Sequence, residues 1–248
     1  MSKVRIGIVG TGFISPFHYQ GLKKNGEAVV VGMCTHSNRA RLERICSGWG
    51  IKPFQSFDEM VESEEVDALV IGSINPDHYP QIMKAIRKKK HVLVEKPVVA
   101  DCSQIDEISE HAKKSGVLVF PGHNFVYRKT LQRAREIMES GDLGKIVYSS
   151  FILTHVIPKE HAEGWRSKLS LNSGGTLMDS GHHMVYQSLF LKGIPQKLHA
   201  FKANLVMKGM EGEDIAQVSM QYPDGSMGFI LQSWTSKHGS CINGIKAV

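Results

Sequence analysis

Short apolar runs alternate with longer helical patterns along the first half of the chain. The apolar runs are RIGIV, AVVVGMC, DALVIG, HVLVE and VLVF, and amphipathic segments such as RARLERICSGW and PQIMKAIRKKK lie between them. Nearly continuous Val, Ile and Leu strands separated by helices are typical of a parallel sheet that helices cover on both faces. The first half therefore predicts a doubly wound α/β domain.

The pattern changes after Pro121. An amphipathic helix, TLQRAREIMES, stops at Gly141, and a strand-like run, GKIVYSSFILTH, and a second helix, LMDSGHHMVYQSLFL, follow. Two later runs, IAQVSMQY and MGFILQSW, flank a turn at Pro-Asp-Gly and predict an antiparallel hairpin. We therefore predict two domains, residues 1–121 and 122–248, the second an α+β domain on a largely antiparallel open sheet.

Composition and charge narrow the class of protein. The net charge is +6, but the basic excess is spread along the chain. The densest cluster, Arg87–Lys90, directly precedes an apolar run, where cations favour the carboxyl end of a helix. No apolar run approaches the roughly 20 residues of a membrane helix. We expect a soluble protein with neither nucleic acid nor membrane as a partner.

The cysteines and histidines give no metal-binding signature. The four cysteines form no C-x-x-C pair. We therefore expect them to be reduced and mostly packed thiols of a cytoplasmic protein. The twelve histidines show neither H-x-x-x-H nor H-E-x-x-H spacing. We therefore expect no metal site. The cysteines are Cys34, Cys46, Cys102 and Cys241.

The segment KVRIGIVGTGFIS, at residues 3–15, predicts a phosphate-binding turn. Its glycines follow a strand and precede a helix, and Ser15 stands where a third glycine would complete G-x-G-x-x-G. Gly10 permits a tight turn, and Gly12 lets the backbone approach a pyrophosphate at the helix N-terminus. A small residue such as Ser15 still permits helix–strand packing. The context favours dinucleotide binding over a plain glycine-rich turn.

The end of the second strand bears on which dinucleotide is bound. An NAD site typically has an acidic residue about 20 residues after the glycines, where it holds the ribose 2′-hydroxyl. Here the segment is neutral, with Thr35 and Ser37, and Arg39 follows. An arginine suits a 2′-phosphate, so NADP is the preferred cofactor and NAD the alternative. Arg39 and Arg41 can also simply decorate the solvent face of a helix.

Several motifs occur in an order that resembles a known family. They are GIVGTGFIS, INPDHY at residues 74–79, VEKPVV at 94–99, NFVYR at 124–128, SGDLGKI at 140–146 and GGTLMDSGHH at 174–183. In this order the chain resembles the glucose-fructose oxidoreductase, inositol dehydrogenase and MocA family. The resemblance implies a Rossmann domain followed by a substrate domain, and NAD(P)-dependent hydride transfer at a hydroxyl or keto carbon of a sugar, polyol or related compound.

The resemblance also implies site residues. Lys96, Asp179 and His183 match catalytic positions: histidine is a residue type suited to acid/base chemistry near neutral pH, which gives His183 that role, Lys96 supplies positive charge, and Asp179, on the same helical face, can orient a hydroxyl or the lysine. The cofactor set is Gly10, Thr11, Gly12, Phe13, Ile14, Thr35, Ser37, Arg39, Ser73, Asn75, His78, Glu95 and Lys96. The substrate set is Lys96, Arg128, Trp165, Arg166, Asp179 and His183.

Plainer readings of the same residues remain open. Lys96 can be an exposed lysine at a strand end, Asp179 a helix cap, and His182–His183 an ordinary helix pair. His78 can be a satisfied core histidine, and Glu95 a support for the Lys96 loop. At the level of function, an NAD-dependent glycoside hydrolase and a non-catalytic nucleotide sensor remain alternatives, because fold does not fix function.

Two departures from the family pattern stand out. Members often have an acidic residue three positions after the catalytic histidine, where this chain has Tyr186. Members also generally extend beyond the point that Val248 reaches. We expect residues 227–234 to pair with 215–222 and to leave a far edge or one face uncovered. This predicts either a piece of a longer protein or a homo-oligomer, dimer or tetramer, that associates through the second-domain sheet.

Overall fold

A computed structural model describes residues 2–236 and 241–248 of the chain. The chain divides into two compact units, the first ending at Gly122 and the second beginning at His123. Among the described residues, none of the helices combines the length and the apolar character that a bilayer crossing demands.

The first unit is a parallel sheet with helical crossovers. Among the residues described there, the strands are β1 (Val4–Val9), β2 (Ala28–Cys34), β3 (Lys52–Pro53), β4 (Ala68–Ile71), β5 (His91–Val94) and β6 (Val119–Pro121). The helices are α1 (Ser15–Lys24), α2 (Arg39–Trp49), α3 (Phe57–Glu62), α4 (Asn75–Arg87) and α5 (Ser103–Ser115). The strand order is β3-β2-β1-β4-β5-β6, with every pair parallel. The doubly wound prediction is confirmed.

Both faces of this sheet are buried, as the continuous apolar runs require. Along β4, Leu69 and Ile71 belong to one core cluster and Val70 to the other. Successive side chains of a strand point to opposite faces, so this alternation places a hydrophobic core on each side. Helix α4 ends at Arg87, as the basic cluster predicts.

The cysteines divide equally between core and surface. Cys34 and Cys46 are buried, and burial raises the pKa of the Cys34 thiol to about 12. Cys102 and Cys241 are exposed, so the expectation of mostly packed thiols is only half right.

The second unit combines short helices with a mixed sheet. Its helices are α6 (Lys129–Ser140), α7 (Lys159–Glu163), α8 (Leu169–Asn172) and α9 (His182–Lys192), with 3-10 turns at Asn124–Tyr127 and Trp165–Ser167 and a π-helical turn at Leu177–Gly181. Its strands are β7 (Tyr148–Thr154), β8 (Lys197–Ala203), β9 (Ile215–Gln221), β10 (Met227–Ser233) and β11 (Ile242–Ala247). Among the described residues the strand order is β11-β7-β10-β9-β8.

The sheet of the second unit confirms the hairpin and corrects the predicted open edge. Strands β9 and β10 pair antiparallel, with Met227 opposite Gln221. The far side of β10 is not open, because it pairs in parallel with β7, Met227 lying beside Tyr148. Trp234 is buried and donates from its indole N–H to Ser180 Oγ at 2.9 Å. The edge strands are instead β8 and β11.

The segment around Asp179 is not one continuous α-helix. The sequence predicts a single helix through LMDSGHHMVYQSLFL, but residues Leu177–Gly181 form a π-helical turn before α9 begins at His182. The turn is fixed from outside the helix: Glu213 accepts the backbone N–H of Thr176 through its carbonyl and that of Leu177 through its carboxylate. A π-helical turn within a helix often marks a functional site.

Candidate functional site

The turn between β1 and α1 is closed by Ser15. Gly10 has a φ of +98°, and a Cβ at this position would lie 2.5 Å from the carbonyl oxygen of Gly72. Ser15 is buried, and its hydroxyl donates to the Gly10 carbonyl at 2.8 Å. The residue that replaces the third glycine therefore stabilises the turn through a hydrogen bond that glycine cannot make.

The outer side of this turn fits a dinucleotide phosphate. A Cβ on Gly12 would meet no atom within 4 Å, so its backbone is open to close approach. Helix α1 starts directly afterwards and supplies N–H groups and positive potential to an anion. Phe13 beside it is 74% exposed, while Thr11 is buried and Ile14 half-buried. The loop thus has the open glycine backbone and helix N-terminus that a pyrophosphate requires.

The segment between β2 and α2, residues 35–38, contains no carboxylate, and its last residue caps α2. The Thr35 and Ser37 hydroxyls lie 3.5 Å apart, and the Asn38 side chain caps α2 by accepting the N–H of Arg41. The guanidinium of Arg39 already has two partners. It pairs with Glu43 at 2.9 Å and donates to the Phe54 carbonyl at 2.9 Å.

The end of β4 contributes three polar residues. The Ser73 hydroxyl donates to the Gln81 side chain at 2.7 Å, and Asn75 is buried at the start of α4. His78 is also buried, with Nδ1 2.8 Å from the Pro97 carbonyl and Nε2 3.2 Å from the Ser73 carbonyl. Burial lowers the pKa of His78, although both carbonyls act in the opposite direction. These contacts make His78 a brace for the loop that contains Lys96.

The end of β5 places Lys96 beside a largely buried carboxylate, that of Glu95. Glu95 Oε1 lies 2.8 Å from Nε2 of His18 on α1, and Oε2 accepts the backbone N–H of Lys96 at 3.2 Å. Burial would raise the pKa of the Glu95 carboxyl, but the His18 hydrogen bond and the charges of His18 and Lys96 lower it overall. The sequence pattern gave no reason to single out His18, because a histidine on an amphipathic helix resembles a surface residue.

In the second unit, Asp179 is tied to Arg166. The Arg166 Nε donates to Asp179 Oδ2 at 2.7 Å, and both side chains are largely buried. The guanidinium also lies 4.4 Å above the ring of Trp165. The structure therefore brings together three residues that the sequence placed in the substrate set. The ion pair supplies a fixed carboxylate acceptor and a positive charge at one place.

His183 lies in an aromatic cluster with Phe125, Arg128 and Tyr186. The His183 ring stacks on Phe125 with centroids 4.3 Å apart, and the Arg128 guanidinium lies 3.4 Å from the same Phe125 centroid. Nδ1 of His183 is 2.7 Å from the Tyr186 hydroxyl. Tyr186, three residues after His183, is thus a hydrogen-bonding partner of the histidine. Stacking and hydrogen bonding together fix the plane of the imidazole.

Two further histidine arrangements were not anticipated from the sequence. His123 and His182 approach each other with 2.9 Å between their Nε2 atoms. His155, at the end of β7, is half-buried; burial lowers its pKa, and the charge of Asp179 opposes this. Despite the number of histidines, no group of three or more His, Cys, Asp or Glu residues among the described residues is arranged to hold a metal ion.

Comparison with known proteins decides the family. Residues 4–123 match the model of an oxidoreductase family with an NAD-binding Rossmann fold, and residues 131–245 match the GFO/IDH/MocA C-terminal domain. The chain belongs to the glucose-fructose oxidoreductase, inositol dehydrogenase and MocA family. The resemblance carried by the sequence motifs is therefore confirmed, as is the NAD-binding oxidoreductase character of the family.

Individual members of the family resemble the chain at moderate identity. A myo-inositol 2-dehydrogenase of Thermotoga maritima is 26% identical over 243 residues, 95% of this chain and 70% of the relative. An uncharacterized oxidoreductase of Streptococcus pneumoniae is 25% identical over 238 residues, 95% of this chain and 63% of the relative. The chain thus spans less than two thirds of the latter.

A solved structure resembles the whole chain. The WlbA dehydrogenase from Bordetella pertussis, crystallised with NADH and UDP-GlcNAcA, is similar with a TM-score of 0.93 and 26% identity. The similarity covers 100% of this chain and 71% of that one.

Proposed function

We propose that the protein is an NAD(P)-dependent oxidoreductase that acts on a hydroxyl or keto carbon of a sugar, a polyol or a related small molecule. The observation that carries the proposal is that both halves of the chain match the family. The catalytic roles of Lys96, Asp179 and His183 are part of the proposal and rest on the resemblance of their sequence motifs. Residues 1–121 would hold the cofactor, and residues 122–248 the substrate. When bound, the nicotinamide ring supplies or accepts the hydride.

Side chains of the protein itself transfer the proton, stabilise charge and bind the substrate. His183 takes the proton of the substrate hydroxyl during oxidation and returns it during reduction. The Lys96 ammonium stabilises the developing alkoxide, and Glu95, braced by His18, orients the lysine backbone. Asp179, held by Arg166, accepts a hydrogen bond from a second substrate hydroxyl. A substrate with neighbouring hydroxyls satisfies this set best, which favours sugars and cyclic polyols.

The finer part of the proposal concerns the cofactor. We propose that NADP(H) is preferred, because the segment after β2 has no carboxylate to repel a 2′-phosphate and Arg39 opens α2. Arg39 is paired with Glu43 in the structure, so it must exchange that exposed ion pair for the phosphate. Exposed pairs of this kind contribute only about 0.2–1 kcal/mol, and a charge-assisted bond to a phosphate is stronger.

The decisive experiment follows nicotinamide absorbance with NADP and NAD against a panel of sugars, inositols, nucleotide-linked sugars and their keto forms. Turnover by the wild type that falls roughly 10²- to 10⁴-fold in His183→Ala, with cofactor affinity unchanged, supports the proposal. Lys96→Ala should reduce both turnover and substrate binding. Wild-type turnover that survives in His183→Ala would assign the acid/base step to another residue.

Parallel assays of glycoside hydrolysis and of cofactor binding separate the alternatives. Hydrolysis of a glycoside without net change in nicotinamide absorbance would indicate the glycoside hydrolase. Cofactor binding without turnover of any compound in the panel would indicate a sensor.

We further propose that the protein forms a homo-oligomer through the sheet of the second unit. The edge strands present large exposed apolar side chains, which favour association. They are Leu198 and Phe201 on β8 and Ile242 and Ile245 on β11. Sedimentation equilibrium of wild type and a Leu198→Glu/Phe201→Glu variant tests this, and a wild type that is monomeric at micromolar concentration would contradict it.

A further inference from the structure

In the described part of the second unit, the hydroxyl of Tyr186 lies within hydrogen-bonding distance of His183, Asn124 and Phe125. It lies 2.7 Å from Nδ1 of His183 and 3.3 Å from Oδ1 of Asn124, and it accepts the backbone N–H of Phe125 at 3.2 Å. Tyr186 is buried, and its ring stacks on His123 with centroids 4.5 Å apart. The hydroxyl is therefore held in place by contacts that do not involve His183.

The number of hydrogens available determines the direction of these bonds. A phenolic hydroxyl has one hydrogen to donate and two lone pairs that accept. The Phe125 N–H occupies one lone pair, and Asn124 Oδ1 receives the hydrogen. With its hydrogen donated to Asn124, the hydroxyl can only accept from His183, which favours a hydrogen on Nδ1. If the hydroxyl donated to Nδ1 instead, the bond to Asn124 would be lost, which disfavours that arrangement by roughly 2- to 13-fold.

We infer that Tyr186 is a positioning residue: it holds neutral His183 as the Nδ1–H tautomer and thereby puts the ring's lone pair on Nε2. The inference rests on the proposed function, in which His183 exchanges a proton with the substrate. The hydroxyl proton passes to Nε2 while the electron pair of the broken O–H bond stays on the substrate oxygen. In the opposite direction the same nitrogen returns the proton to that oxygen.

A neutral partner differs from the acidic residue that family members often have. The imidazolium also carries a hydrogen on Nδ1, so Tyr186 accepts the same bond before and after the proton moves. A carboxylate would accept this bond too, but its negative charge would favour the charged imidazolium. The tyrosine therefore orients the imidazole of His183 without adding a negative charge, which would stabilise the imidazolium and hinder the return of its proton to the substrate.

The tautomer can be measured without substrate or cofactor. The full chain is labelled with ¹⁵N-histidine, and long-range ¹H–¹⁵N correlation spectra are recorded at about pH 8, above the ordinary histidine range. His183 is assigned by the signals that vanish in His183→Gln. We expect Nδ1 to show the shift of a protonated nitrogen and Nε2 that of an unprotonated one. An Nε2–H tautomer in the wild type would overturn the inference.

Three variants test the cause of the tautomer. Tyr186→Phe keeps the buried ring but removes the acceptor, so the Nδ1–H form should lose its advantage. At the exposed position 124, Asn124→Asp can only accept from the hydroxyl and should preserve the wild-type spectrum. The matched Asn124→Ala frees the hydroxyl to donate to Nδ1 and should raise the Nε2–H fraction. The same tautomer ratio in wild type and Tyr186→Phe would contradict the assignment.

Kinetics separate this inference from the proposed function. Losing the acceptor should lower kcat in Tyr186→Phe by about 5- to 150-fold, the cost of an unmade buried hydrogen bond, with the cofactor Kd unchanged. If His183→Gln retains full activity, the acid/base role fails while the spectra still decide the tautomer. If His183→Gln is inactive and Tyr186→Phe is as active as wild type, the acid/base role stands and the positioning role of Tyr186 is refuted.

Discussion

Replacing Gly10 with alanine tests the phosphate-binding turn most directly. Gly10 has a φ of +98°, where an L side chain is strained, and the new Cβ would lie 2.5 Å from the Gly72 carbonyl oxygen and 2.9 Å from its carbon. Backbone strain of this kind costs roughly 1–3 kcal/mol and overpacking roughly 1–3 kcal/mol. We expect Gly10→Ala to lose about 2–6 kcal/mol of stability, which for a chain of this size lowers Tm by at least about 4 °C.

Gly12→Ala provides the matched contrast within the same loop. Its Cβ would meet no atom of the protein within 4 Å, so the fold should tolerate it. The methyl group would instead occupy the space that a pyrophosphate needs next to the backbone. We expect Gly12→Ala to keep the wild-type Tm and to bind NADPH and NADH at least tenfold more weakly.

Differential scanning calorimetry and fluorescence titration of the reduced cofactors measure the two effects. Gly21→Ala, on the exposed side of α1, is the control: it should raise stability by about 0.5–1 kcal/mol and leave cofactor binding unchanged. A Gly10→Ala variant with wild-type Tm would refute the strain argument. A Gly12→Ala variant that binds both cofactors normally would show that this loop does not hold the phosphates.

Three further predictions concern charged residues. Arg39→Ala should weaken NADPH binding by about 1–3 kcal/mol and leave NADH unaffected, with Arg41→Ala as the control in fluorescence titration; equal losses for both cofactors would contradict it. The pKa of Glu95 is lowered in the folded state, so its contribution is present above about pH 4.3 and is lost as the pH falls further. Glu95→Gln should therefore be less stable than wild type in urea at neutral pH, and this gap should narrow towards pH 3. Asp214 is fully buried and accepts three backbone N–H groups, so Asp214→Asn should cost about 1–3 kcal/mol in the same assay; an unchanged midpoint would contradict this.

The sequence pattern predicted the elements whose side chains face a core. Strands such as β4 and β5 are continuous apolar runs, because both faces of the parallel sheet are buried. β3 has only two residues, Lys52 and Pro53, and no pattern of that length is informative. β8 was missed because it is exposed along nearly its whole length, so no alternation of burial marks it.

The apolar pattern could not predict which strands pair when they are far apart in the sequence. The hairpin of β9 and β10 is local and has a turn signal, whereas the parallel pairing of β10 with β7 depends on the packing of everything between them. The π-helical turn at Leu177–Gly181 was also invisible, because it depends on bonds to Glu213, a residue far away in the sequence.

For the candidate site, the sequence motifs indicated individual residues but not the residues with which they form hydrogen bonds. Gly10, Lys96 and His183 stand in recognisable motifs. The hydrogen bond of Ser15 to Gly10, five residues earlier, and the pairing of His18 with the distant Glu95 arise only when the chain folds, since local periodicity does not record hydrogen bonds.

The position of β7 in its sheet has a consequence for synthesis on the ribosome. Both of its neighbours, β10 and β11, are translated much later, and the β10 residue beside Tyr148 follows it by roughly 80 residues. At translation speeds of about 5–20 residues per second, β7 waits roughly 4–16 s with both edges unpaired. During that interval the nascent second unit exposes an unpaired strand with which other chains can pair, so we expect chaperone binding to protect this segment.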